Sequence, residues 1–201
     1  VIIRAKTSAS NLFRRAECPG SEAAEAPFAE QNSEYSSEGT LLHKWFFVPE
    51  KPIALLTKTQ LETLNEAETY ARKAFLEFAT LHGIPDDALA VDNHEVELDV
   101  HDTDGTPLPP GHADLVRFWP EYDLAYIVDA KFGFSEVEEA PSNLQLADYA
   151  LGVFQNSNGK LKEIGVAIVQ PRNFGERLTP ANVLGFACHK VVLDQGSRRS
   201  I

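Results

Sequence analysis

The apolar period of this chain changes between its two halves, and no other feature constrains the fold as much. In "TQLETLNEAETYARKAFLEFATLHG", Leu61, Leu64, Ala67, Ala71, Ala74, Phe75, Phe78 and Leu81 recur at helical spacing. Thr59 and Glu62 form a capping-box pattern at its start, and Gly83 is a stop signal. In "HEVELDV" the period drops to two, with Val96, Leu98 and Val100 on one face and Glu95, Glu97 and Asp99 on the other. Helices therefore come first and strands later, which excludes an all-α or all-β chain.

Upstream, "TSASNLFRRAECPG" reads as a short helix capped by Ser8 or Ser10, with Leu12, Phe13 and Ala16 inward and Pro19-Gly20 ending it. Residues 21–34 read as a loop. "SSEGTLLHKWFF" opens a second helix, capped by Ser36 or Ser37 and stopped by Pro49, and 49–58 is a connector. Downstream, "GHADLVRFW" and "LAYIVDAKF" are strands joined by the turn "PEYD". A helix over 142–155, a fourth strand "EIGVAIVQ" and a last helix follow, the last one capped by Thr179 with Pro180 at its first position and running to about residue 193. The order ααα-βββ-α-β-α predicts an α/β fold: a mixed central sheet flanked by helices, with the N-terminal helices as an appended layer. The 201 residues suit one domain, with a helical part over 1–85 and a core over 91–195.

The net charge of −12 argues against binding nucleic acid by bulk electrostatics. It leaves room for an enzyme acting on nucleic acid, because carboxylates around a divalent cation present a locally positive site to phosphate. Arg14-Arg15, Arg72-Lys73 and Arg198-Arg199 are small basic clusters that read first as solvated surface. Cys18 and Cys188 are too few for a four-cysteine zinc or iron–sulfur site and read as separate thiols in a reducing compartment. No apolar run approaches the roughly 20 residues of a membrane span. The apolar part of the first ten residues is too short for a signal peptide, so a cytoplasmic location is expected. An opening on Val1 rather than Met suggests residues upstream.

The chemistry centres on "YIVDAKFG", residues 126–133. Asp129 and Lys131 share one strand face, and His112 and Asp114 share a face of the preceding strand. A tight turn over 120–123 makes these strands antiparallel neighbours and brings Asp114 close to Asp129. Two carboxylates so placed repel, and a divalent cation with hard oxygen ligands resolves the repulsion. Lys131 can then orient or deprotonate the attacking water, or stabilise charge on a phosphorus centre. By itself, Asp-x-Lys is a common tripeptide, and a surface ion pair is its simplest account. Gln145 and Tyr149, four apart on the next helix, share a helix face. His94 sits among acids on an alternating strand and reads as a solvated face. No G-x-S-x-G, P-loop or G-x-G-x-x-G is present.

In order along the chain, "GHAD" with Asp114, "IVDAKFG" with Asp129 and Lys131, and "QLADY" with Gln145 and Tyr149 resemble the PD-(D/E)xK nuclease superfamily, within it the RecB-like exonucleases. The match is close over about residues 111–151. "EGTLLHKWF" resembles that family's helix carrying a metal-binding histidine. "SASNLFRRAECPGS", "SEYSSEGTLLH" and "IVQPR" also resemble a phage-encoded RecB-like family known mainly as a domain of unknown function. The resemblance implies a restriction-endonuclease-like core. It implies that His43, Asp114, Asp129 and the carbonyl of Ala130 hold one or two Mg²⁺ or Mn²⁺ ions, with Lys131 as the catalytic lysine. Gln145 and Tyr149 would position DNA or that lysine. Glu95 matches an acid of the family's first strand, although Glu97 shares its face. His112 departs from the family pattern, as a candidate metal ligand or a surface histidine. Four-cysteine iron–sulfur members exist in the wider group, but no cluster is expected here.

The expected function is a metal-dependent deoxyribonuclease, an exonuclease in phage or bacterial DNA recombination or processing, located in the host cytoplasm if phage-encoded. The alternatives are a non-catalytic DNA-binding or assembly protein on the same fold and a restriction-type endonuclease. DNA is the expected partner, a single-strand annealing or recombination protein and a second copy of the chain are further candidates, and no membrane partner is expected.

Overall fold

A computed structural model describes residues 8–25, 34–48, 50–102, 104–133, 137 and 140–172. Four strands, β1 (Val91–Leu98), β2 (Gly111–Trp119), β3 (Leu124–Ala130) and β4 (Glu163–Val169), lie side by side in that order. The β1–β2 and β2–β3 pairs are antiparallel and the β3–β4 pair is parallel, so the sheet is mixed as expected. A parallel pair needs a crossover, and helix α5 (Leu144–Asn156) supplies it. All seven residues of β3 are buried, which its nearly unbroken apolar run requires of a strand covered on both faces.

Helices α3 (Glu34–Trp45) and α4 (Lys58–Leu81) cover one face. Leu64, Ala71, Phe75 and Phe78 of α4 pack with Leu115, Tyr126, Val128 and Ala167. On the other face Leu146, Ala150 and Val153 of α5 pack with Ala113, Ile127 and Val166. Gly165 leaves the space for Tyr126, because a Cβ there would overlap the tyrosine ring. Phe75 and Phe78 meet that ring edge-on, with centroids 5.6 and 4.9 Å away.

Several boundaries differ from the sequence expectations for local reasons. The capping box of α4 lies two residues earlier than Thr59 and Glu62. Thr57 Oγ1 accepts from Gln60 N at 3.2 Å, and Gln60 Oε1 accepts from Thr57 N at 2.9 Å. Strand β1 starts at Val91 rather than His94, and Glu95 interrupts it with φ near +47°. Helix α3 starts at Glu34, ahead of the expected Ser36 or Ser37 cap. Ser21–Glu25, expected as loop, is a short helix, α2.

The N-terminal helices do not form one appended layer. Helix α1 (Leu12–Glu17) packs through Leu12 against the α5-side core, opposite α3 and α4, while Phe13 and Ala16, expected inward, are exposed. Cys18 is a free, exposed thiol. The expected helix after Thr179, along with Cys188 and Arg198-Arg199, lies outside the described residues.

Candidate active site

The carboxyl end of β3 carries the charges. Asp129, only 2% exposed, and Lys131 project to the α5 side. Lys131 Nζ donates to Asp129 Oδ1 at 3.0 Å and lies 2.7 Å from Oδ2, the latter an ionic contact rather than a directed hydrogen bond. It also donates to Gln145 Oε1 at 3.1 Å. Gln145 Nε2 donates to Asp129 Oδ1 at 3.3 Å and to the Tyr149 hydroxyl at 2.5 Å. One amide thus spans acid, cation and phenol, as its two donors and one acceptor permit. Asn143 caps α5 by accepting from Leu146 N, which sets Gln145 in the first turn.

Asp114 reaches this end from the neighbouring strand. Ala113 packs in the α5-side core and Leu115 in the α4-side core, so strict alternation along β2 breaks at Asp114. From that break its Oδ2 accepts from Ala130 N at 2.6 Å, and its Oδ1 lies 3.3 Å from His43 Nδ1. Leu42 and Phe46 anchor α3 in the core. The His43 ring sits edge-on to Phe132, with centroids 5.0 Å apart.

Electrostatics couple the two halves. Burial lowers the His43 pKa, but the hydrogen bond and charge of Asp114, with the charge of Asp129, outweigh it, and the net shift is upward. Burial raises Asp129, against the lowering effect of Lys131, and Asp114 pushes it further up. Burial raises Tyr149, helped by the Asp129 charge, so the phenol keeps its proton.

The structure therefore brings together His43, Asp114, Asp129, Ala130, Lys131, Gln145 and Tyr149. His112 is exposed and in register with Glu97, and among the described residues it shares no hydrogen bond or ion pair with His43, Asp114 or Asp129. Glu95 stands between His94 and Val96, whose partners are Leu115 and Ala113, so the register sets Glu95 rather than Glu97 across from Asp114. His94 is exposed as expected.

Two carboxylates, an imidazole and a backbone carbonyl suit a hard divalent cation in donor chemistry. Among the described residues, no three His, Cys, Asp or Glu side chains are gathered as a ready metal-binding group. Lys131 Nζ contacts both carboxylate oxygens of Asp129.

Two features were not read from the sequence. A Cβ on Gly111 would come within 2.6 and 2.8 Å of the Tyr149 ring, so this glycine makes room for the tyrosine. Asp148 is buried, its Oδ2 has no hydrogen-bond partner among the described residues, and burial pushes it up to about 6. Its one signal was being the lone acid in the apolar run "LQLADYALGVF".

A family model described as "Protein of unknown function (DUF2800)" matches residues 4–182. The chain belongs to the DUF2800 family. No curated protein matches it. The match takes in every site residue of this DUF2800 chain, from His43 on α3 to Tyr149 on α5. Its description carries no activity, so the chemistry rests on the side chains.

Proposed function

We propose that this chain is a metal-dependent DNA nuclease, an exonuclease that hydrolyses phosphodiester bonds in phage or bacterial DNA recombination or processing. The observation that carries the proposal is the Asp129–Lys131–Gln145–Tyr149 network at one strand end, with Asp114 and His43 beside it. A surface ion pair needs no buried acid, no bridging amide and no second carboxylate nearby.

A bound Mg²⁺ or Mn²⁺ would supply Lewis-acid stabilisation of charge developing on the phosphate. His43, Asp114, Asp129 and the Ala130 carbonyl would hold it. Lys131 presents an ammonium to the oxygen that gains charge or, as the neutral amine after giving up its own proton to solvent, takes a proton from the attacking water. Gln145 fixes the lysine, and neutral Tyr149 fixes Gln145. DNA is the proposed partner. Among the described residues no helix is long and apolar enough to cross a membrane.

Incubation with linear duplex DNA and Mn²⁺ tests the reading. The wild type is expected to shorten linear DNA and spare closed circles, and Asp129→Ala to leave both intact. Cutting of closed circles would turn the assignment to an endonuclease. One observation favours a non-catalytic binding or assembly role: Lys131 closes on Asp129, with no ready three-ligand group among the described residues. Calorimetric titration separates the two, since no Mn²⁺ binding at millimolar metal supports the assembly role.

A further inference from the structure

Two stretches singled out in the sequence take no part in the network above: the glutamate of "EGTLLH" and the arginine of "IVQPR". They are 134 residues apart, yet Arg172 Nη1 lies 2.6 Å from Glu38 Oε2. The arginine side chain is 9% exposed and the glutamate side chain 30%, so the guanidinium is buried and the carboxylate half-buried. The other oxygen of Glu38, Oε1, accepts from Gln60 Nε2 at 3.0 Å. Gln60 is the residue whose own Oε1 closes the capping box of α4. The Arg172 hydrogen bond holds Glu38 below the usual carboxylate range.

We infer that the Glu38–Arg172 pair is a positioning clamp that sets the His43 helix against the strand ends carrying Asp129 and Lys131. Both ends of the clamp lead to the site. Arg172 follows β4, where Val169 is in register with Ala130 and accepts from Lys131 N at 2.8 Å. Gln170 Nε2 reaches Gly133 O at 3.5 Å. Glu38 lies on α3, five residues ahead of His43. The contacts of His43 with Asp114 and Phe132 depend on where α3 rests, and Glu38 ties α3 at once to the end of β4 and to the first turn of α4. A bidentate-capable guanidinium suits a fixed geometry better than an ammonium would.

The clamp deepens the nuclease reading, because His43 matters as a ligand only under it. Its test is separable from that reading. In the intact chain, a nuclear Overhauser effect between the His43 and Phe132 rings reports the position of α3, and one between Phe78 and Tyr126 reports the core. Arg172→Gln, Glu38→Gln and the milder Arg172→Lys are expected to abolish or weaken the His43–Phe132 signal while keeping the Phe78–Tyr126 signal. The exchanged pair, Glu38→Arg with Arg172→Glu, is expected to restore it in part, because it re-forms the tie to residue 172 while arginine at 38 has no acceptor for Gln60 Nε2. Mn²⁺-dependent DNA hydrolysis should fall roughly 10–100-fold in the single variants, the size of effect seen when groups that orient a metal ligand are removed, and recover in part in the exchanged pair. Single variants that keep the His43–Phe132 signal, or an exchanged pair that restores none of it, would overturn the clamp. A His43–Phe132 signal that disappears in the single variants and returns in the exchanged pair, in a protein whose wild type cuts no DNA, would uphold the clamp and remove the nuclease.

Discussion

At Tyr126 strand β3 is covered by rings; three residues on, at Asp129, it is covered by charges. Both positions are buried, Tyr126 fully and Asp129 to within 2%. The ring end is held by apolar area and shape. Phe75 and Phe78 meet Tyr126 edge-on, and Gly165 gives up its side chain for it. The charged end sets its polar groups among the buried Ala130, Phe132, Leu146 and Tyr149. Its acid is desolvated, its pKa is pushed up, and its partners are one lysine, one amide and a second acid nearby. Burying charge costs stability unless it is paired and hydrogen-bonded. One strand thus carries an apolar end that serves folding and a charged end that the proposed hydrolysis would use.

The largest expected effect tests the charged end. Lys131→Ala should lower DNA hydrolysis by about 10³-fold, the scale for losing one preorganised charge-stabilising group. It should also leave Asp129 buried without its cation, at a cost of roughly 3–5 kcal/mol in a chemical denaturation series. If activity survives while stability falls, the network is structural. Gly165→Ala tests the ring end. The overpacked Tyr126 should cost about 1–3 kcal/mol, and the rate per folded molecule should be unchanged. A slower rate at full folding would show that the two ends are not separate.

Gly111→Ala crosses between them, because it adds a single methyl but against the Tyr149 ring. The expected result is a fall in turnover with little change in substrate KM, and a side-chain amide resonance of Gln145 moved toward its solvent-exposed position. Asp148→Asn isolates burial of an acid without a cation. In the folded protein this carboxyl titrates at about 6, above the ordinary value of 3.8. Wild type therefore loses stability as pH rises from the unfolded value through the folded one, and the asparagine variant does not. The gain in melting temperature should be nearly absent at about pH 3, below the unfolded value, and full at about pH 8, equivalent to roughly 1–3 kcal/mol. A gain independent of pH would mean that the carboxyl is not protonated in the fold.

The smallest effect lies away from both ends. Thr57→Ala removes the observed α4 cap and should cost about 1 kcal/mol. Thr59→Ala should cost less, although Thr59 with Glu62 fits the same sequence pattern. Thr57 with Gln60 and Thr59 with Glu62 are both good caps two residues apart, and a local pattern cannot choose between them. The choice is made where Gln60 also reaches Glu38, a partner 22 residues away in sequence.

The same division runs through the rest of the molecule. Strands β2, β3 and β4 and helices α4 and α5 were legible because their periodicity reports a face, and a face is a local property. Asp129 with Lys131, and Gln145 with Tyr149, were legible for the same reason. The break at Asp114, the positive φ of Glu95, the space at Gly111 and the Arg172–Glu38 pair depend on what stands opposite, so no stretch of sequence contains them. Which sheet face α1 covers is of that kind too, and the expected single layer of leading helices was divided between the faces.

One time course decides whether Asp129 and Lys131 carry hydrolysis: linear duplex DNA, Mn²⁺, and wild type beside Lys131→Ala and Asp129→Ala, each shown to be folded. Progressive shortening by wild type with none by either variant is the result predicted here. Equal degradation by all three, or none by wild type with either Mg²⁺ or Mn²⁺, would contradict it.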